Sequence, residues 1–299
     1  MTRSEHYWSS YRRVLLAAEG LKHIDVKLSA VTDGLMASLV DLDRYPIDAL
    51  DQRRGRDMMA RLRDDLRREG LCRLDGFLPP AAVQRLVEQA QPAETHAYYG
   101  LTEASPYFNE FESQLPIDHP RNIRTKRQLG LVAADLIPPD CDLHSLYQSQ
   151  ALTRFLAQVL DKPILYRVAD PYQKTVMTVM PEGAGHNWHF DEADFTVTLM
   201  LRKPEQGGDF ECVPMLRSAT DENYDGVRNV LRGQRECVRV IPFEPGTLMV
   251  FRGRHALHRV APVSGSRSRL IALFSYSTAP NWIGTKHTNA QVFGPRVKV

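Results

Sequence analysis

The chain has 299 residues, of which 43% are hydrophobic and 25% are charged, which is typical of a soluble globular protein with a sizeable core. The 38 basic and 36 acidic residues leave a formal charge of +2, so we expect neither a nucleic-acid partner nor an anionic membrane. No apolar stretch approaches the roughly 20 residues that span a bilayer, and residues 1–13 lack the apolar core of a secretory signal. We therefore expect a cytoplasmic protein.

Residues 1–69 are predicted to form a helical N-terminal cap or extension, because their apolar residues recur with helical spacing. The two sets are Tyr7, Trp8, Tyr11 and Leu15, and Met58, Met59, Leu62 and Leu66. Residues 70–78 indicate a strand, and the Pro79-Pro80 pair before residues 81–90 favours a helix start, where the missing N–H of proline is harmless. The second predicted domain spans residues 70–299.

Residues 92–142 contain many prolines, tyrosines and polar residues, which predicts an ordered layer of loops. The apolar spacing over residues 152–160 predicts a helix that ends before Pro163. From residue 164 onward, short β-rich runs alternate with Gly, Pro and polar turns, which predicts about eight antiparallel strands, as in a jelly roll. One helix interrupts them, with Asp221 as its N-cap and Tyr224, Val227, Val230 and Leu231 on its inner face. The fold class is therefore α+β, with a mainly β core and a helical cap.

The stretch GHNWHFDEADF at residues 185–195 holds two histidines and three carboxylates, and an apolar run follows it. Successive side chains of a strand alternate faces, so His189 and Asp191 are expected to point the same way, and Phe190 to the other side. A second His-x-Asp at residues 23–25 lies in the charged helical region, with no apolar strand after it. Only the first of the two indicates a metal site.

A second histidine from another strand would complete a 2-His-1-carboxylate triad, which leaves coordination positions open and favours Fe(II). The late stretch GRHALHRV, after an apolar strand at residues 246–251, offers His258 and His255. The segment that contains His255 is turn-like, whereas His258 opens an apolar run.

Arg267 and Arg269 follow on one strand and alternate toward the same face. An arginine that is buried in a barrel needs an anion, because an unpaired buried charge is costly. A bidentate carboxylate, such as the distal end of 2-oxoglutarate, would meet that need. Strand alternation alone permits either arginine.

The sequence resembles the non-haem Fe(II)/2-oxoglutarate-dependent oxygenase superfamily, through HFD at residues 189–191, HRVAPV at 258–263 and GSRSR at 265–269. More narrowly, it is similar to the branch of the free-amino-acid radical halogenases and their hydroxylase relatives. WHFDEADFTVTLML, KPEQGGDFECVPMLRS and GTLMVFRGRHALHRV support this, and the resemblance covers roughly residues 50–280. It implies a double-stranded β-helix of the jelly-roll, cupin-like type for the second domain, with flanking helices.

The resemblance further implies Fe(II) as cofactor, with 2-oxoglutarate and O2 as co-substrates. It implies His189, Asp191 and His258 as iron ligands, in preference to His255, and Arg269 as the 2-oxoglutarate anchor, with Arg267 as the alternate. Halogenases of the branch replace the ligand carboxylate by glycine to admit chloride, whereas this chain keeps the aspartate. The implied reaction is therefore hydroxylation.

The expected activity is hydroxylation of an unactivated C–H bond in a small polar substrate, with a free amino acid or derivative as first guess. Two alternatives stay open. One is a desaturase or cyclase on the same iron centre, because these reactions also begin with hydrogen abstraction. The other is a non-catalytic β-sandwich that binds a metal or ligand. A homodimer is also left open.

Five residues are candidates for binding the substrate. In the related enzymes the positions of His186 and Glu192 lie near the substrate and its amine, and Asp194 also flanks the predicted metal site. Arg124 and Arg127, in the basic cluster NIRTKRQLG, are candidates for a substrate carboxylate. The competing interpretation is an exposed loop histidine and solvated charges, because carboxylates and runs of charge usually face solvent.

Overall fold

The structure is a computed structural model that describes residues 34, 36–100 and 102–298. The α-helices after residue 50 are α1 Arg53–Glu69, α2 Pro80–Ala90, α3 Asp142–Gln148, α4 Gln150–Val159, α5 Tyr224–Leu231 and α6 Lys286–Phe293, and two short 3-10 helices span Gln91–His96 and Ala134–Leu136. The strands are β1 Leu71–Leu74, β2 Glu103–Ala104, β3 Thr125–Gln128, β4 Gly130–Val132, β5 Tyr166–Arg167, β6 Thr175–Met180, β7 Gly185–His189, β8 Thr196–Arg202, β9 Gln206–Gly207, β10 Phe210–Val213, β11 Arg239–Ile241, β12 Leu248–Phe251, β13 Leu257–Val260, β14 Val263–Ser264, β15 Arg269–Phe274 and β16 Tyr276–Ser277.

Two six-stranded antiparallel sheets form the body of the protein. The first sheet has the order β1-β12-β8-β15-β6-β4, and the second has the order β11-β10-β13-β7-β3-β2. Of their strands, β12-β8-β15-β6 and β11-β10-β13-β7 form the eight-stranded core: the chain passes from one sheet to the other at each step except β10 to β11, which pair within the second sheet, and this is the arrangement of a jelly roll. The predicted class, a β core with helices around a double-stranded β-helix, is confirmed.

The first sheet separates two apolar layers, because successive side chains of its strands point to opposite faces. One face packs against the helices in a large core that includes Leu199, Leu248 and Ala272. The same core holds Met58, Met59, Leu62 and Leu66 of α1, so the helical face predicted there is confirmed. The alternate residues of these strands face the second sheet.

Local sequence signals place two helices as expected. Helix α2 begins at Pro80, as predicted from the proline pair. Helix α4 begins after Ser149, whose hydroxyl accepts the backbone N–H of Leu152, and it ends before Pro163.

Two predictions differ from the structure. Residues 92–142 are not only loops, because β2, β3 and β4 lie within them and extend the edges of both sheets. Asp221 is not the N-cap of α5: the side chain of Asn223 accepts the backbone N–H of Gly226, and Asp221 accepts the N–H of Asn223. Asn223 has φ +47°, a left-handed conformation that asparagine tolerates better than most residues.

The predicted helix face at Tyr7, Trp8, Tyr11 and Leu15 lies outside the described residues. The division of the chain after residue 69 stays a prediction. Within the described part of the chain, no helix is both long enough and apolar enough to cross a membrane.

Candidate iron and 2-oxoglutarate site

Two histidines meet where β7 and β13 pair. His189 lies directly opposite His258 in the register, with 4.1 Å between the ring centroids. The Nδ1 of His189 lies 2.7 Å from the carbonyl oxygen of Asn187, and the Nδ1 of His258 lies 2.9 Å from that of Ala256. A carbonyl oxygen only accepts, so each Nδ1 carries a proton, and in the neutral form of each ring Nε2 is then left with a lone pair.

The carboxylate of Asp191 faces both lone pairs. Its Oδ1 lies 3.6 Å from Nε2 of His189 and 3.5 Å from Nε2 of His258, and the three residues form a group whose ligand atoms all lie within 4.8 Å. The backbone N–H of Asp191 donates to the carbonyl of Gly253, and the hydroxyl of Thr196 donates to Oδ2. Oδ1 is therefore left to face the imidazoles.

The electrostatics of the group suit a divalent cation. Burial opposes the ionised form of Asp191, but the adjacent His258 and His189 and the Thr196 hydrogen bond hold the pKa of its carboxyl below the ordinary value. Burial, followed by the neighbouring His186 and His258, lowers the pKa of His189 well below 6.5. A neutral imidazole and an ionised carboxylate are the forms that bind metal.

His186 joins this group through an irregularity in β7. His258 pairs with His189, and Val260 pairs with His186. The two pairs are two residues apart on β13 but three residues apart on β7, so β7 has one extra residue, a β-bulge. The bulge stacks the ring of His186 on that of His189, with centroids 3.6 Å apart and planes 20° apart. Phe108, at φ +56°, packs edge-on against His189, and its ring centroid is 6.2 Å from that of His186. Regular alternation would have put the two histidines on opposite faces.

A cavity of about 300 Å³ opens between the two sheets beside this group. Arg269, the first residue of β15, lines it and is only 2% exposed. Burial lowers the pKa of its guanidinium to about 10, and its Nε has no hydrogen-bond partner among the described residues. A buried cation with an unused donor fits the carboxylate of a bound anion.

The close approach of Gly208 leaves Arg269 room to lie in this wall. A Cβ on Gly208 would lie 3.0 Å from Cδ of Arg269, and Gly208 itself has φ +67°. Arg267, in contrast, is exposed and donates to the carbonyl of Pro204. Of the two arginines, only Arg269 lines the cavity.

Two of the predicted substrate contacts line the cavity, and three do not. His186 and Arg127 lie opposite each other where β3 pairs with β7. Arg127 is 9% exposed, and burial lowers the pKa of its guanidinium to about 10. Arg124 is exposed and donates to the carbonyl of Asn109.

Glu192 and Asp194 lie on the exposed turn after Asp191 and are not part of the cavity wall. Asp194 forms an ion pair of 2.7 Å with Arg254, and the backbone carbonyl of Glu192 accepts from the same guanidinium. His255 is not part of the ligand group, and its backbone N–H donates to the carbonyl of Arg252.

Sequence reasoning missed several contributors to the site. Thr196 and Gly253 fix the carboxylate of Asp191, and Phe108 covers His189. The C-terminal helix α6 contributes Phe293 to the cavity wall. Gly253 lies in the segment before His255 that the sequence analysis interpreted as a turn, whereas no sequence pattern indicated Phe293.

The fold and this donor set define the class of protein, the Fe(II)/2-oxoglutarate-dependent oxygenase superfamily, and the triad of His189, Asp191 and His258 is compatible with an iron site. Within the class, the chain belongs to the halogenase D family, whose model matches residues 55–293. No curated protein matches the sequence.

Solved structures of the class share the fold. The non-heme alpha-ketoglutarate-dependent epimerase SnoN from nogalamycin biosynthesis is 13% identical, with a TM-score of 0.51 over 74% of this chain and 83% of that chain. The carbocyclase SnoK from the same biosynthesis is 13% identical, with a TM-score of 0.50 over 72% and 82%. At this identity the similarity extends to the fold alone.

Proposed function

We propose that the protein is a dioxygenase that hydroxylates an unactivated C–H bond of a small polar substrate, with a free amino acid or derivative as the first candidate. The observation that supports this most directly is the convergence of His189, His258 and Asp191 on one point beside the cavity that Arg269 lines. Both halves of an oxygenase site, a facial triad and a buried cation for 2-oxoglutarate, thus share one space.

In this proposal the Nε2 atoms of His189 and His258 and Oδ1 of Asp191 hold the iron, and Arg269 binds the distal carboxylate of 2-oxoglutarate. Iron and 2-oxoglutarate, when bound, supply the oxidation of a C–H bond by O2. The protein keeps the ligands in the binding form. The Asn187 and Ala256 carbonyls fix the imidazole tautomers, and Thr196 and Gly253 fix the carboxylate.

Retention of Asp191 supports hydroxylation over halogenation within the halogenase D family. A halide ligand needs the coordination position that the carboxylate takes. Asp191 is held in that position from three directions, by the imidazoles at Oδ1, by Thr196 at Oδ2 and by the Gly253 carbonyl at its N–H. No rearrangement of the strand is needed for it to serve as a ligand.

Arg127 and His186 are the proposed substrate contacts. They lie side by side on the cavity wall, and His186 connects them to the triad through its stacking on His189. A guanidinium can bind a substrate carboxylate in a bidentate manner. Phe108, packed against His189 and 6.2 Å from the ring centroid of His186, helps to exclude water from this side.

The proposal is tested by incubating the Fe(II)-loaded protein with 2-oxoglutarate, O2 and a panel of free amino acids. We expect succinate release that depends on one or a few of them, with a product that gains one oxygen atom. A product that loses two hydrogen atoms would instead show a desaturase or cyclase. Asp191→Ala should abolish turnover, whereas Asp194→Ala, on the exposed turn, should preserve it. Full turnover by Asp191→Ala would contradict the proposal.

A further inference from the structure

Strand β15, which begins with Arg269, is joined to its neighbour β8 by an irregular pairing. Leu270 pairs with Arg202, but Ile271 pairs with Met200, so one step on β15 corresponds to two steps on β8. The extra residue on β8 is a β-bulge, and a bulge changes the face to which the next side chain of its strand points. This bulge therefore lies beside the residue that is proposed to bind 2-oxoglutarate.

The bulge turns Arg202 away from the cavity. Met200 packs with Phe210 in an apolar cluster between the two sheets, and regular alternation would put Arg202 on that same face. Instead, Arg202 lies opposite Leu270, which packs in the large core on the helical side of the first sheet. Directly opposed residues share a face of a sheet, so Arg202 points toward the helices, and it does not line the cavity.

On the helical side, Arg202 forms two hydrogen bonds with Ser268, the residue before Arg269. Its Nε donates to the backbone carbonyl of Ser268 at 2.9 Å, and its Nη2 donates to the Ser268 hydroxyl, also at 2.9 Å. The backbone pairing of β8 with β15 ends at Arg202 and Leu270. The guanidinium thus continues the connection between the two strands past the last backbone pair.

Glu94 holds this guanidinium in place. Its Oε2 lies 2.7 Å from Nη2 of Arg202 and accepts the Ser268 hydroxyl at 3.2 Å. The side chains of this ion pair are only 20% and 16% exposed. Glu94 lies in the 3-10 helix Gln91–His96, whose Ala93 packs in the large core. A largely buried, charge-assisted contact of this kind is stronger than an exposed ion pair.

The backbone at Arg269 determines where its guanidinium lies. A Cβ on Gly208 would be 3.0 Å from Cδ of Arg269, so the stem of the side chain has little space to shift. On the β6 side, Arg269 pairs with Met180. On the β8 side, its backbone is held through Arg202. A bidentate contact to a carboxylate requires placement to within about 0.5 Å, so both sides matter for binding.

We propose that Arg202 is a positioning residue for 2-oxoglutarate and that Glu94 orients it for this role. Together they hold the backbone at Ser268, and this places the Arg269 guanidinium where it meets the distal carboxylate of 2-oxoglutarate. The inference rests on the proposed function and extends it to two residues on the other side of the sheet. Their loss affects the distal carboxylate selectively, because neither residue contacts the three iron ligands.

The double variant Arg202→Met/Glu94→Gln tests this, since it removes both charges and leaves neither one buried and unpaired. Anaerobic titration of the Fe(II)-loaded protein measures the dissociation constants of 2-oxoglutarate and of 2-oxopentanoate. The second acid has the same carbon chain and 2-oxo acid end, but a methyl group replaces the distal carboxylate. We expect the constant for 2-oxoglutarate to rise about tenfold and that for 2-oxopentanoate to change less than about twofold.

Lys203→Met/Glu244→Gln is the matched control, because it removes the neighbouring ion pair, which is 40% and 64% exposed. It should change both constants less than about twofold. Arg202→Lys is the milder variant: it keeps the charge beside Glu94 but loses the planar fork, so we expect a rise of about threefold for 2-oxoglutarate alone. It also carries the test if the double variant does not fold. Unchanged affinity for 2-oxoglutarate in a folded variant, or an equal loss for the two acids, overturns the inference.

Failure of this inference is distinct from failure of the proposed function. If Arg269→Gln binds 2-oxoglutarate as tightly as the wild type, the proposed anchor itself is wrong. If Arg269→Gln weakens binding while the Arg202 variants do not, the oxygenase proposal stands and only the role of Arg202 is wrong.

Discussion

The backbone of Gly253 lies against the carboxylate of Asp191, so closely that a Cβ on Gly253 would come within 2.0 Å of Oδ2. The Gly253 carbonyl also accepts the backbone N–H of Asp191. A glycine in the turn between β12 and β13 thus determines where the carboxylate of a residue after β7 can lie. Because the contact is to the proposed iron ligand, it connects a backbone requirement to metal binding.

Gly253→Ala should therefore displace the Asp191 carboxylate and weaken Fe(II) binding by about tenfold or more, because ligand misplacement is costly in a rigid site. The measurement is anaerobic Fe(II) titration of each variant, with circular dichroism as the check on folding. Gly34→Ala is the control, since a Cβ at Gly34 would meet no atom of the described residues within 4 Å. Unchanged iron affinity in folded Gly253→Ala would show that the contact does not position the ligand.

Removal of the buried guanidinium should affect 2-oxoglutarate selectively. Arg269→Gln is expected to raise the dissociation constant for 2-oxoglutarate by about 100-fold, because it removes a charge-assisted, bidentate interaction in a buried site. Arg267→Gln, at an exposed residue two positions earlier, should change it less than about twofold. Anaerobic calorimetric titration with 2-oxoglutarate measures both constants. If the two variants behave alike, Arg269 is not the anchor.

The pairing of Glu211 with two arginines predicts a pH-dependent contribution to stability. Its carboxylate, 7% exposed, accepts from Arg235 and from Arg259, the residue after His258. Burial opposes ionisation, but these hydrogen bonds hold the pKa of Glu211 below its ordinary 4.5. A depressed pKa in the folded protein stabilises it above the unfolded pKa, and this stabilisation is lost as the pH falls through the folded value.

Glu211→Gln should thus lower the free energy of unfolding by about 2 kcal/mol at pH 7. The difference from the wild type should shrink as the pH falls from 4.5 through the lower folded pKa, below which the wild-type carboxyl is protonated as well. Urea unfolding at several pH values measures this. Glu205→Gln, at an exposed carboxylate, should cost less than about 0.5 kcal/mol. A difference that stays constant with pH would argue against the charge-assisted pairing.

Asp170 is expected to hold α6 against the cavity. Its Oδ2 accepts the backbone N–H of Gly284, just before α6, and the side-chain amide of Asn289, within α6. Asp170→Ala leaves several buried donors unsatisfied and should lower the free energy of unfolding by about 3 kcal/mol. Asp135→Asn removes the charge from a half-exposed ion pair with Arg296, which follows α6. This change should lower the free energy of unfolding by less than about 1 kcal/mol. Equal costs, measured by urea unfolding, would show that the buried network is not the main attachment.

Local sequence patterns predicted much of the fold because the relevant interactions are local. The face of α1 at Met58, Met59, Leu62 and Leu66 and the start of α2 at Pro80 follow from helical spacing and from proline at a helix start. The cap of α5 could not be predicted in this way. Asp221 and Asn223 are both good capping residues, and only the left-handed backbone at Asn223 decides between them.

At the site, strand alternation predicted that His189 and Asp191 face the same way, and their side chains lie together in the structure, although β7 ends at His189. It could not place His186, because the bulge opposite His258 and Val260 exists only when β7 and β13 pair. The contribution of Phe293 to the cavity wall could not be predicted from the sequence either, because α6 reaches the cavity through contacts between distant parts of the chain. Such tertiary contacts leave no periodic signal in the sequence.

The central claim is that His189, Asp191 and His258 hold iron together with 2-oxoglutarate in one site. The most direct test is anaerobic titration of the protein with Fe(II) and 2-oxoglutarate, watching for the weak visible charge-transfer band of the bidentate complex. The band should appear in the wild type and be lost in folded His189→Ala and His258→Ala, while His255→Ala retains it. Absence of the band in folded wild-type protein, or its persistence without either histidine, would show that these residues do not hold iron and 2-oxoglutarate in one site.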